Sequence, residues 1–417
     1  MTRAGRPTVT RLAALLAGAA LLAACASEEP TAAPSTSPSA SSDVPSATAE
    51  PSQTATDEAT DEATDEATDD ATDDATPEPT QEPTGVPDPP AHPGPPAVVG
   101  TITTGLTAPW GLDFFPNGDA IVTERDTARV LRLVGRRHRP VELGTIAAAA
   151  PTGGTAENGL LGVALSPDFA ADRTAYFYVT TTTDNRVVRA TVDDGALGRT
   201  KPVLTGIPRG FTHDGGRLAF GPDGYLYVST GESGEPALAQ DRASLGGKIL
   251  RITTDGDPAP GNPFDSPVWS YGHRNVQGLA FDDAGRLWAS EFGQDAFDEL
   301  NLVRKDRNYG WPQVEGTGGG DGLTDPQQTW DPDTASPSGL AYWDGDLWMA
   351  SLKGQRLWRI DLDGARAVEP TAFFVGEYGR MRTVAVAPDG SLWVTTSNRD
   401  GRGSPAAADD RILRVLP

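Results

Sequence analysis

Six times between Trp110 and Thr395 the chain writes the same short hairpin. The copies are WGLDFFPNGDAIVT (110–123), LGVALSPDFAADRTAYFYV (161–179), RLAFGPDGYLYVS (217–229), GLAFDDAGRLWAS (278–290), GLAYWDGDLWMAS (339–351) and VAVAPDGSLWVT (384–395). Each is an apolar alternating run, a tight polar turn rich in Pro, Asp and Gly, and a second apolar run, the mark of an antiparallel hairpin. A third short run follows each: 129–134, 187–192, 248–252, 299–303, 356–360 and 411–416. A single hairpin is marginal in water, and six alike bury their faces by stacking around a common axis. The fold class expected is therefore all-β, a six-bladed β-propeller. Weaker fourth strands such as 141–146 complete the blades. The last blade runs out of chain after its third strand, so 98–104 is expected to supply its outer strand and close the ring.

Composition divides the chain into a leader (1–25), a linker (26–97) and the propeller (98–417). Arg3, Arg6 and Arg11 precede an apolar run that ends Leu22-Ala23-Ala24-Cys25. This pattern is expected to be a secretory leader of the bacterial lipoprotein type, with Cys25 lipidated. Cys25 is the one cysteine, so no intrachain disulfide is available. Residues 26–100 hold 17 acidic residues and no Lys or Arg. So polar a stretch is expected to stay disordered. As a tether of ~70 residues it would span roughly 45 Å. The expected location is outside the cytoplasmic membrane, held by the lipid alone. From residue 101 onward 41 acids stand against 31 bases, about −10, which argues against a nucleic-acid partner.

In a propeller the loop entering each inner strand and the loop leaving the second strand share one face. Those loops gather Arg274, Lys353, Arg380 and Arg382 around His213. Cations crowded on an acidic protein repel one another unless an anion offsets them. A small ligand with several carboxylates is implied; the alternative is a local acid for each cation. His213, in Phe-Thr-His-Asp-Gly-Gly-Arg, suits proton abstraction near neutral pH, with Gly215 and Gly216 turning the backbone. The alternative is a structural histidine, the role expected for His273. The loop EFGQDAFDELNLVRKDRNYG (291–310), with Asp295, Asp298 and Glu299, suits a hard cation such as calcium or a merely solvated acidic loop.

The segments GLTAPWGLDFFPNGDAIVTER, ENGLLGVALSPDF, HDGGRLAFGPDGYLYVSTGE, YGHRNVQGLAFD, SEFGQD and NYGWP together resemble the soluble quinoprotein glucose/sorbosone dehydrogenases. That resemblance runs over essentially all of 101–417. It implies a six-bladed propeller binding pyrroloquinoline quinone (PQQ) and Ca²⁺ on one face, an aldose as small-molecule substrate, and an aldonolactone as product. By motif it implies His213 as the base and Arg274 and Asn275 over the quinone ring. Lys353, Arg380 and Arg382 then meet the cofactor carboxylates, and Glu157 and Trp330 lie beside the cofactor. The backbone carbonyls of Gly293 and Gln294 hold the catalytic Ca²⁺; Glu299 and the Tyr309 carbonyl form a second Ca²⁺ site. Thr212 stands where the glucose enzymes have an acid beside the base, with Asp214 as a substitute. The readings weighed against this one are a non-catalytic surface propeller that binds glycan or protein, and a calcium-dependent lactonase.

Overall fold

The computed structural model describes residues 94–417 apart from Asp194; Cys25, the leader and the acidic repeat lie outside the described residues. The described chain forms six antiparallel sheets, five of four strands and one of five. The inner strands are Pro109–Phe114, Leu160–Leu165, Leu218–Phe220, Val276–Phe281, Pro337–Trp343 and Met381–Val386. Each pairs with the second strand of its own hairpin. The third strands fall on the six runs that follow the hairpins. The strand Ala97–Thr103 pairs with Ile412–Leu416, so the sixth sheet is closed by the first strand of the ring. The outer strands of the other blades carried little sequence signal because they are half wet. Lys201–Ile207, for example, buries only Ile207 fully.

The core lies between blades more than within them. Trp110, Leu161, Tyr178, Leu218 and Leu250, from blades one to three, share one apolar cluster. Leu106, Leu131, Trp393 and Ile412 join blade six to blade one. Burial of this kind ties every blade to its neighbours and makes closure cooperative.

Near the axis one position in each inner strand faces the backbone of the next blade. Four blades place glycine there: Gly111, Gly162, Gly278 and Gly339. A Cβ on Gly111 would sit 2.8 Å from the Leu161 carbonyl oxygen, and one on Gly339 2.8 Å from that of Arg382. On Gly162 and Gly278 it would strike the carbonyls of Gly216 and Ser338. The other two blades carry Arg217 and Thr383, whose polar atoms donate to the corresponding carbonyls of Gln277 and Trp110. The inner strands are bulged here in five of the six hairpins. In blades one, three and six a second-strand hydroxyl, of Thr123, Ser229 or Thr395, accepts the backbone N–H at this position. Gly162→Ala is expected to destabilise the ring by roughly 1–3 kcal/mol. It should appear as a lower Tm in thermal unfolding, and an unchanged Tm would show that the inner strands can part without cost.

Candidate active site

At the face away from the hairpin turns, the loops enclose a cavity of about 350 Å³ lined in part by Glu157, Gln277, Lys353, Arg380, Arg382 and Arg402. Lys353, Arg380 and Arg382 are thus brought together as the loop geometry required. Each also has an acid. Arg380 and Arg382 share the single carboxylate of Asp400, at 3.0 and 3.3 Å. Arg402 holds Glu157 at 2.6 Å, and exposed Lys353 meets Asp333. Local pairing is therefore present but incomplete, because two guanidiniums draw on one buried carboxylate. Burial lowers Arg382 to about 10, its bond to Asp400 notwithstanding, with Arg125 and Arg380 adding repulsion.

His213 sits beside this cavity with a left-handed backbone (φ 60°), a conformation that costs energy for any residue but glycine. Its N–H donates to Glu157 Oε2 at 2.9 Å, and Asn275 braces the turn by accepting from the Gly215 N–H. Glu157 is half-buried, and its partial loss of water works to raise its pKa. The bond to Arg402 and the His213 N–H outweigh that and hold the carboxyl below its ordinary range. The ring Nδ1 of His213 is hydrogen-bonded to Glu232, a carboxylate with 1 % of its side chain exposed. The partner of the histidine is therefore Glu232, and Asp214 does not replace it. Asp214 instead accepts from Asn185 Nδ2 and the Gly210 N–H. Its second oxygen is buried without a partner, and burial raises the carboxyl to about 7.

Arg274 stands behind the shared wall residue Phe292, in a smaller cavity of about 10 Å³ that also touches Gly293, Glu299, Tyr309 and Glu315. Its Nη1 donates to the Gly293 carbonyl, its Nε is buried without a partner, and its guanidinium lies 5.2 Å from the centre of the Trp311 ring. A guanidinium thus occupies the carbonyl expected to hold the first Ca²⁺. The neighbouring Gln294 is tied by its N–H to Glu315. Asp298 spends its two oxygens on the N–H groups of Gly293 and Ser336, and Asp295 is exposed. Glu299 accepts from the Gly316 N–H and from Asn301. Burial, then the adjacent Glu291, push its carboxyl upward. Among the described residues no three His, Cys, Asp or Glu side chains converge tightly enough to hold a metal by themselves. A cation at Glu299 would draw on backbone oxygens as well, and no described N–H donates to the Tyr309 carbonyl.

Two further residues are corrected or settled by their surroundings. Trp330 lies in the outer strand Gln328–Trp330 and packs in an apolar cluster with Trp288 and Leu300, its ring 5.8 Å from that of Trp358. That places it in the blade core and outside the cavity lining, contrary to expectation. His273 is fully buried, bonded to Glu291 and Ser270 and stacked on Tyr309, the structural histidine expected. Glu232 and Arg402 were missed although both sit in loops leaving second strands, where the same geometric rule looks.

A family model described as glucose/sorbosone dehydrogenase matches residues 106–413. A PQQ-bound aldose sugar dehydrogenase from Streptomyces coelicolor is 55 % identical with a TM-score of 0.75, covering 77 % of this chain and 97 % of that one. A glucose dehydrogenase-type oxidoreductase from Thermus thermophilus is 44 % identical with a TM-score of 0.71, covering 76 % and 99 %. An uncharacterized protein from Synechocystis is 35 % identical over 72 % of this chain and 84 % of its own length.

Asp214 makes the stability of the propeller depend on pH. Its folded pKa of about 7 lies above the ordinary 3.8, so the fold favours the neutral carboxyl. That contribution is complete below pH ~4 and is lost as pH rises through about 7. Asp214→Asn keeps an acceptor for Asn185 and cannot ionise. The Tm advantage of this variant is expected to widen between pH 4 and pH 7; a constant gap would show that Asp214 ionises freely.

Proposed function

Because this chain belongs to the glucose/sorbosone dehydrogenase family, we propose that it is a PQQ-dependent sugar dehydrogenase that oxidises aldoses at C1 to aldonolactones and binds calcium beside Glu299. The observation that carries this reading is the juxtaposition of a carboxylate-held histidine with a cavity whose cations exceed their local acids.

The residues fit the cofactor. Arg380, Arg382, Lys353 and Arg402 would meet the carboxylates of a flat tricarboxylate. Bound there, PQQ supplies the electron-poor carbonyl that takes the electron pair leaving C1 of the sugar. The protein supplies the base. With Nδ1 committed to Glu232, His213 presents Nε2 as the proton acceptor, and 19 % of its side chain remains open to the site. Its role is to take the proton of the C1 hydroxyl as the C1–H bond breaks, leaving a C1 carbonyl. Glu232 fixes the tautomer and stabilises the imidazolium that forms, the division of labour seen wherever a buried carboxylate orients a catalytic histidine. Burial of Glu232 keeps it from wasting its charge on water.

For calcium the Gly293–Gln294 carbonyls are the poorer choice here, since Arg274 donates to the first of them. Glu299, beside Glu291 in a small cavity that Tyr309 also lines, has the hard oxygens a Ca²⁺ takes. The basic leader start, the apolar run and Leu22-Ala23-Ala24-Cys25 support export with a lipid on Cys25 and the acidic tether between lipid and ring.

The test is reconstitution. Purified apoprotein given PQQ and Ca²⁺ is expected to retain quinone absorbance through gel filtration and to reduce a redox dye when an aldose is added. Neither signal with any aldose would remove the proposal. His213→Ala should keep the quinone absorbance while kcat falls by at least ~100-fold. Glu232→Gln should lower kcat by roughly tenfold or more with KM little changed, and Glu232→Asp should recover part of the loss. Calcium should raise the Tm of the apoprotein over that in EDTA, and Glu299→Gln should erase the difference. An equal response in Glu299→Gln would place the ion elsewhere.

A further inference from the structure

The loop that carries Glu232 is folded around a lysine. It leaves the second strand of blade three, Leu226–Ser229, and returns to the third, Lys248–Ile252, where the Gly247 N–H donates to the Gly231 carbonyl. On the way Pro236–Ala239 makes one 3₁₀ turn. The last carbonyls of such a turn receive no donor from within it. Lys248 supplies the donors. It is fully buried, and its Nζ donates to the carbonyls of Leu238, Ala239 and Gly246 at 2.7, 3.0 and 2.6 Å. An ammonium has three N–H bonds, and all three are used.

Among the described residues no carboxylate forms an ion pair with this ammonium. Burial pushes its pKa down to about 7, and Asp241 opposes that through its charge alone. A buried charge without a counter-ion is costly, and an apolar side chain of the same length would fill the space without that cost. What such a side chain would lack is a donor for any of the three carbonyls. The lysine thus fixes the path of residues 232–247. The Ala239 carbonyl also accepts the Gly272 N–H at 2.9 Å, which joins the gripped turn to Gly272-His273-Arg274-Asn275. The Glu232 N–H donates to the Arg274 carbonyl at 2.9 Å. These backbones leave no slack: a Cβ on Gly247 would stand 2.5 Å from the His273 carbonyl oxygen and 2.8 Å from Ala239 Cα. Glu232 is the first residue of the loop, and its carboxylate holds Nδ1 of His213.

We propose that Lys248 is a positioning residue for the base: by gathering three carbonyls of the Glu232 loop it fixes that carboxylate against the His213 ring. The role rests on His213 being the base of the reaction proposed above. Lys248 touches neither the cavity nor the histidine and acts through Glu232. Without its ammonium three carbonyls lose their donor, the loop is freed, and His213 loses the bond that sets its tautomer.

The test has one readout that needs turnover and one that does not, both taken on full-length protein at a pH below 7, where the ammonium keeps its proton. In the holoprotein, Lys248→Met is expected to lower kcat roughly tenfold with KM little changed. In Glu232→Gln, which has no carboxylate left to place, the same substitution should change kcat by less than about twofold. Equal losses in the two backgrounds would overturn the role. The second readout is the far-downfield proton signal of His213 Nδ1 in the PQQ-free protein, identified by its absence from His213→Ala. Lys248→Met should abolish it while the far-ultraviolet circular dichroism stays unchanged. A signal that persists would overturn the role whether or not the protein oxidises sugars, and a lost signal would uphold it even if no aldose is turned over. Lys248→Gln, one donor short, should lose part of the signal. It replaces Lys248→Met if that variant fails to fold, and an unaltered signal in it would then overturn the role.

Discussion

Six strands can share an axis only if each lets its neighbour approach to backbone distance. The ring meets that demand by removing the Cβ at Gly111, Gly162, Gly278 and Gly339, or by turning a side chain into a donor at Arg217 and Thr383. Everything else follows from this closeness. The channel stays narrow, the loops at one end converge, and side chains from distant parts of the sequence come into reach. Arg402 and Glu157, 245 residues apart, are joined at 2.6 Å because the Arg402 loop of blade six meets the loop that leads from blade one into blade two.

The charges of the mouth form one connected system. Asp400 holds Arg380 and Arg382, Arg382 reaches Gln277, and Gln277 faces Arg217 below. Glu157 links Arg402 to the backbone of His213, and Glu232 fixes the ring of that histidine. Positive charge outruns negative charge along this line, in a domain whose sequence is acidic overall. Such local reversal is costly in a medium poorer than water at screening, and it is sustained by the folding of the six blades as a unit.

The hairpin period made the fold legible, because alternation and Pro-Asp-Gly turns recur in six copies. The outer strands were harder to see: Lys201–Ile207 and Arg366–Phe373 are mostly wet, and a wet strand has no alternation to read. Within the site, Lys353, Arg380 and Arg382 were expected at this mouth and line its cavity, while Glu232 and Arg402, in loops leaving second strands, were not singled out. Glu232 hides in an unremarkable Gly-Glu-Ser, and nothing along the sequence says that it faces a histidine nineteen positions earlier. Trp330 was misjudged because an aromatic residue near a site motif reads alike whether it stacks on a ligand or on Trp358. Only packing separates the two. Arg274 was expected over the quinone ring; in the structure it lies behind Phe292 and grips the Gly293 carbonyl, a matter of rotamer, which sequence does not encode.

The pairing of Ala97–Thr103 with Ile412–Leu416 has a consequence for how the chain is made. The opening segment of the ring emerges from the ribosome first and finds its partner last, after some three hundred residues have followed it. For that whole interval it is an orphaned edge, open to wrong pairings. Its sequence, Ala-Val-Val-Gly-Thr-Ile-Thr, interrupts its apolar residues with a glycine and two threonines, and most of its residues stay partly solvated even in the finished sheet. The chain has given the longest wait to a strand poor in the grease that would make waiting dangerous.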